Sequence, residues 1–280
     1  MNTTQLTLHR WRRNLLRESF GIIAFVFLAV LILGPISTVI LWAFATRWRY
    51  PSLLPTEWGV QYWPATLTRA DITSALPLSI VLSLVVTLLS ALICLPAAYA
   101  FARLRFPGRQ LFLLSFLATN AFPRFGLYVS IAIVFFRLNL VGTLPGVVLI
   151  QLVNTLLLMI WIPTSAFQGV DRALEEAALD VGASPARVFF QITLPMVFPA
   201  LAAALLLTFV STFYEAQGAL LIRLPNVRTM PVLMYSLINN QVVVQYGAVI
   251  SLVLWLPSFI LLTFVQRFLR GGAVTAGLGV

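Results

Sequence analysis

No lysine occurs anywhere in the 280 residues; all 18 basic residues are arginine. That excludes a Schiff-base lysine and a phosphate-binding G-x-x-x-x-G-K-[ST] loop. The only cysteine, Cys94, excludes an internal disulfide and a thiolate zinc site. The only histidine, His9, leaves no material for a histidine metal cluster or a Ser-His-Asp triad. Catalytic residues, metal ligands and cofactor sites are therefore not expected. Charge is scarce as well. Charged residues make up 9 % of the chain, against roughly 25 % in an ordinary soluble domain. What fills the space is apolar: 60 % of the residues, with a mean hydropathy of +0.97. A chain of this kind dissolves in lipid. The net charge of +10 does not mark a nucleic-acid face, because the arginines are scattered between apolar runs.

A membrane-crossing helix needs about 20 mostly apolar residues. Six stretches qualify: 20–45, 76–102, 110–136, 144–168, 196–214 and 246–265. The third is interrupted by Asn120, Pro123 and Arg124, and the alternating pattern of a membrane β-barrel is missing. The expectation is an all-α membrane protein with six transmembrane helices. The first apolar stretch, at 26 residues, is too long for a signal peptide, whose apolar region runs to about 7–15. Six crossings put both ends on one side. The tail (Arg10, Arg12, Arg13, Arg17), the 103–109 loop (Arg103, Arg105, Arg109), Arg172, Arg187, Arg267 and Arg270 fall on that side, and fewer arginines on the other. The positive-inside rule then makes both termini cytoplasmic. The segment 8–16 reads as a basic interfacial helix, and Trp48, Tyr50, Trp58, Tyr62 and Trp63 of the external loop 46–75 as an interfacial aromatic belt.

The connection 169–195, GVDRALEEAALDVGASPARVFFQITLP, is far longer than the roughly 2–8 residues that join neighbouring helices. Asp171 is placed as an N-cap, with Glu175 and Glu176 early in the helix where carboxylates suit its dipole. Ala173, Leu174, Ala177, Ala178 and Val181 form a small-residue apolar stripe. Gly182 sits where a left-handed cap ends the helix. Ser184 and Pro185 open a second helix as N-cap and N1. An acidic, alanine-rich helix is poorly suited to anionic headgroups and better suited to docking a protein.

Glu176-Ala177-Ala178, then Gly182 after three residues, then Ile192-x-Leu194-Pro195 after nine more, matches the EAA loop, E-A-A-x3-G-x9-I-x-L-P. With it the chain, over about residues 76–265, resembles the inner-membrane permease subunits of binding-protein-dependent ABC importers of type I (the MetI-like permease fold). The resemblance implies a tail at 1–19, a first helix and external loop at 20–75, a permease domain at 76–265 holding the coupling loop 169–195, and a C-terminal tail at 266–280. It makes Glu176, Ala177, Ala178, Asp180, Gly182 and Pro195 the elements that couple to a separate ABC ATPase dimer. The further partners it implies are a second permease, identical or homologous, and a periplasmic or extracellular solute-binding protein. The chain would be no enzyme itself, and transport would run by alternating access in a bacterial inner membrane. WRYPSLLP at 48–55 and LDVGASP at 179–185 look most like the polyamine, phosphonate and iron group, whereas RLRFPGR at 103–109 is similar to sugar permeases too. Sugar import is thus the second substrate class in view. Outside this family, the same composition suits an ATP-independent secondary transporter or a membrane scaffold for a cytoplasmic enzyme.

Polar groups within spans are costly and face a cavity or a partner. Arg124 falls inside the third span, and Glu215 at the end of the fifth is its expected partner. With Asn120, Ser211, Thr212 and Tyr214 they are the candidate substrate pathway, although a structural ion pair and hydroxyls bonded to helix carbonyls explain the same residues. Asn154 and Gln151 are weaker candidates. The long external loop 215–245, with Arg223, Arg228, Asn239 and Asn240, is where the resemblance puts contact with a binding protein.

Overall fold

The computed structural model describes residues 3–49, 51–118, 121–222, 228–240 and 243–270. They fall into two compact units, one of residues 1–66 with 242–252, the other of residues 67–241 with 253–280.

In the first unit, α1 (Thr3–Ala43) runs without a break from the tail through the first apolar stretch. No residue in the most apolar window of its 20–43 part is buried by its own chain. A helix apolar on all sides and left uncovered needs lipid or another apolar helix around it. The segment expected as a loop then folds. β1 (Ala45–Arg47) pairs antiparallel with β2 (Glu57–Trp58), and α2 (Tyr62–Leu67) follows. The Trp63 indole donates to the Ala43 carbonyl at 2.9 Å, and Arg47 pairs with Glu57 at 3.1 Å. The aromatic residues other than Tyr50, which lies outside the described residues, are therefore held in a small cap that ties up the end of α1.

In the second unit, α3 (Ala70–Arg103) begins six residues before the expected span. Its first turn is polar, and the Arg69 guanidinium binds the Asp71 carboxylate through two contacts of 3.1 and 2.9 Å. At 34 residues and 1.5 Å each it is about 50 Å long, more than the ~30 Å apolar core of a bilayer. The third expected span is two pieces, α4 (Arg109–Ala118) and α5 (Arg124–Arg137), parted at Pro123. Proline lacks a donor and pushes the residue before it out of helical geometry, so the helix restarts after it. α6 (Leu144–Gly169) is capped by Thr143, whose hydroxyl accepts from the Gly146 N–H at 3.1 Å. Next come α7 (Arg172–Asp180), the single turn α8 (Pro185–Val188), a π-helical turn over Phe189–Thr193, and α9 (Leu194–Phe213). α10 (Gln217–Ile222) and α11 (Met230–Asn240) occupy much of the expected external loop 215–245, and α12 (Val244–Arg270) is the last described element. Among the described residues, five helical segments are long and apolar enough to cross a membrane; α4 and α5 fall in the remaining expected crossing.

The second unit is built on α3, α6 and α9, each packed on the other two. Lipid is as apolar as leucine, so helices associate through close packing and interhelical hydrogen bonds rather than by hiding apolar surface from water. The contacts follow that rule. Ala98, Ala102 and Ala204 are buried with Phe101, Met159 and Phe167, and Ser90 meets Thr155 of α6 at 2.6 Å.

Gly146 marks the tightest point. A Cβ there would collide with the Leu140 carbonyl oxygen and sit 3.1 Å from the Ile222 side chain. The turn it faces is fixed, since the Gly142 N–H donates to the Ile222 carbonyl at 2.8 Å. Gly146→Ala is expected to cost about 1–3 kcal/mol by overpacking. Thermal unfolding in detergent should show a lower midpoint, at about 2–4 °C per kcal/mol. Gly126→Ala, with open space at its Cβ, should leave the midpoint unchanged.

Candidate functional site

The 169–195 connection folds by its local signals. Asp171 caps α7, its carboxylate accepting from the Ala173 N–H at 3.0 Å. Gly182 takes φ +89°, a left-handed conformation that glycine adopts readily. It ends the helix as the Gly182 N–H turns back to the Leu179 carbonyl and Ala183 to Ala178. Ser184 accepts from the Arg187 N–H at 3.3 Å with Pro185 behind it. The π turn was not expected, and Pro195 accounts for it. Proline has no N–H and its ring crowds the carbonyl four residues back, at Gln191. In the wider turn the Leu194 N–H reaches the Phe189 carbonyl instead.

α7 has an outer and an inner side. Glu176, Ala177 and Asp180 are exposed, as are the capping Gly182 and the neighbouring Leu179 and Val181, the last 86 % exposed. Ala178 is half-buried, and Pro195 is exposed at the start of α9. Glu175, by contrast, is only 15 % exposed. Its Oε1 accepts from Arg103 Nη2 at 2.7 Å and from the Thr193 hydroxyl at 2.6 Å. Arg103 also donates to the Val170 carbonyl from both terminal nitrogens, at 3.3 and 3.2 Å. The adjacent glutamates thus differ, one turned toward the bundle and one outward, which neither local spacing nor motif reveals.

The interior candidates separate. Asn120 lies outside the described residues, as does Arg223 of the external segment. Arg124 opens α5 after the Pro123 break rather than sitting in the middle of a continuous helix. Glu215, 8 % exposed, commits both oxygens to the backbone: Gly218 N–H donates to Oε1 at 2.6 Å and Ala219 N–H to Oε2 at 3.0 Å. It is the cap of α10, a partner set that the sequence did not suggest. Tyr128, buried one turn after Arg124, lies within electrostatic reach of both charges. Asn154 Nδ2 donates to Ser211 Oγ at 3.1 Å, joining α6 to α9. Close in sequence to that pair, the buried Gln151 Oε1, Thr208 Oγ1 and Thr212 Oγ1 have no hydrogen-bond partner among the described residues. Tyr214 hydroxyl donates to the Leu254 carbonyl at 3.1 Å. Of the predicted set, Ser211 therefore pairs with Asn154 across α6 and α9, while the buried hydroxyl of Thr212 and amide oxygen of Gln151 lack partners among the described residues.

A bundle on α3, α6 and α9, with a helical elbow between its last two members, defines a type I ABC importer permease fold. The chain belongs to the family described as binding-protein-dependent transport system inner membrane component, which matches residues 6–271. It is similar to the trehalose/maltose transport system permease protein MalG of Thermococcus litoralis, with 29 % identity over 275 residues, 95 % of this chain and 98 % of that one. The trehalose transport system permease protein SugB of Mycobacterium tuberculosis is 30 % identical over 204 residues, 69 % of this chain and 73 % of that one. In fold it is similar to a chain of the bacterial alginate ABC transporter, solved with an alginate pentasaccharide-bound periplasmic protein, at TM-score 0.68 and 13 % identity, covering 94 % of this chain and 98 % of that one. These named relatives are sugar permeases. The maltose and trehalose permeases correct the resemblance to the polyamine, phosphonate and iron group; the short stretches 48–55 and 179–185 weigh less than similarity along nearly the whole chain.

The capping role of Glu215 has a direct consequence. Glu215→Ala strands two buried N–H groups and should cost about 1–3 kcal/mol. Glu215→Gln keeps one acceptor and should cost less. Unfolding midpoints of both variants in detergent, compared with the parent, check the order.

Proposed function

We propose that this chain is the permease subunit of an ATP-driven importer for a di- or oligosaccharide. It forms half of the solute pathway beside a second permease. An ABC ATPase dimer sits on the exposed side of α7, a solute-binding protein delivers the sugar from the other face, and both termini are cytoplasmic. The observation that carries the reading is the exposed side of α7, where Glu176, Ala177, Asp180 and Gly182 stand clear of the chain's own bundle. Small side chains let a partner surface come close, and the carboxylates meet its cations. ATP binding closes the ATPase dimer and moves the elbows together, and the bundle swings from inward-open to outward-open. Hydrolysis resets it.

The chemistry of the interior supports the sugar. Amides and hydroxyls of Gln151, Asn154, Ser211 and Thr212 suit a neutral polyhydroxyl solute, which exchanges its water hydrogen bonds for theirs. A polyamine calls for carboxylates, and Glu215 already accepts a backbone N–H at each of its two oxygens.

Co-purification and proteoliposome uptake test both halves. Glu176→Arg puts like charges together, which costs several kcal/mol, and should lower the co-purifying ATPase and uptake by at least about tenfold. Uptake by the parent complex should be competed by maltose or trehalose and not by spermidine. Full ATPase binding in Glu176→Arg removes the coupling assignment, and competition by spermidine alone removes the sugar.

A further inference from the structure

Arg103 and Glu175 are 72 residues apart and come from different helices. The guanidinium ends α3 and is 9 % exposed on its side chain. Its two terminal nitrogens bind the carbonyl of Val170, the residue that caps α6. One of them also binds Glu175 on α7, and the same carboxylate oxygen takes the hydroxyl of Thr193, the last residue of the π turn that leads into α9. Arg172, the first residue of α7, donates back to the Arg103 carbonyl at 3.1 Å. One buried ion pair therefore touches the end of α3, the end of α6, the body of α7 and the entry of α9. Those three long helices are the ones that pack on one another to make the second unit.

Each part suits its place. A guanidinium at the ends of α3 and α6 lies where helix dipoles favour a cation and where the last carbonyls lack helical partners. Charge-assisted bonds in a site this dry are short and about twice as strong as neutral ones. Losing one partner strands the other as a buried charge. The π turn matters too. It holds Thr193, which is 1 % exposed, beside Glu175.

We propose that Arg103, Glu175 and Thr193 form a transmission joint, through which displacement of α7 is delivered to α3, α6 and α9 together. Without the joint, α7 is linked to α6 through the short turn at 170–171, to α9 through α8 and the π turn, and to α3 through the single bond from Arg172 to the Arg103 carbonyl. Bending of those connections then absorbs the stroke. The neighbouring glutamates divide the work: Glu176 faces the motor and Glu175 holds the load. Glu175 is a positioning residue here, acting through the three helices rather than on solute. The inference rests on the coupling role of the elbow proposed above.

The test uses the full complex in proteoliposomes, with the ATPase, second permease, binding protein and maltose. Three quantities are read: co-purifying ATPase, ATP hydrolysis, and sugar moved per ATP. For Glu175→Gln, which keeps an acceptor but loses its charge, the joint predicts normal ATPase binding and continued hydrolysis, with sugar moved per ATP down about two- to tenfold as the bond to Arg103 weakens. Thr193→Val, nearly isosteric, should lower the same ratio less. The exchange of both charges, Arg103→Glu with Glu175→Arg, should recover part of the ratio lost in Arg103→Glu alone. An unchanged ratio in both Glu175→Gln and Thr193→Val overturns the joint. Loss of ATPase binding in Glu175→Gln, in complexes that otherwise assemble, makes Glu175 a docking contact and also overturns it. Failure of the underlying coupling reading has a different signature, full ATPase binding by Glu176→Arg.

Discussion

Inside a bilayer there is no water to receive a polar group, so each one must find its partner in protein. This constraint organises the molecule. It explains why serine and threonine side chains of α3 turn onto their own helix, as Ser79 and Ser83 do toward the carbonyls four residues back. It explains why the Ser79 hydroxyl also accepts from the Met230 N–H, joining α11 to α3. It also explains why the carboxylate at the end of α9 closes on the first turn of α10 instead of standing open. The rule is not met everywhere: among the described residues Thr87, Gln151, Thr208, Thr212, Thr229, Ser258 and the Arg103 Nε keep buried polar atoms without partners, and at Gln151, Thr208 and Thr212 solute or water is expected to supply the missing bond.

At the elbow, burial by protein rather than by lipid sets a similar demand. A carboxylate within the joint is tolerated only against a guanidinium with further donors around it, and Glu175 has both Arg103 and Thr193. A carboxylate next to it in sequence points into water and needs no internal partner, which leaves it for another protein. Stiffness and recognition are thus separated by the roughly 100° that one residue turns along a helix. The π turn continues the arrangement, because the proline that opens α9 cannot be carried by ordinary helical spacing.

The interior chemistry and the maltose and trehalose permeases both support the proposed sugar cargo. Neutral amides and hydroxyls give little grip on a polycation, while they match the donors and acceptors of a sugar. The scarcity of acid in the chain, eight carboxylates in 280 residues, works in the same direction. The fold by itself is silent on this point, because one architecture carries many solutes.

Much was legible in the residues alone. Apolar runs marked the crossings, since length and hydropathy are properties of each segment by itself. Asp171, Gly182, Ser184 and Pro185 marked the elbow's caps for the same reason: capping is settled within four residues, and these four behave as their types require. Local spacing also marked the interruption near Pro123, although it could not show that Arg124 starts a new helix. The helices α10 and α11 were missed because each is short and gives little periodicity to read. The backbone donors on Glu215 were not legible either, since a charge in an apolar run suggests another charge, whereas the N–H groups of Gly218 and Ala219 reach it only once the chain turns into α10. Only the tertiary structure decided that Glu175 turns inward and Glu176 outward, and that Asn154 meets Ser211. Those choices depend on which distant helices lie alongside, and packing between segments far apart in the chain is not written in the spacing of either one.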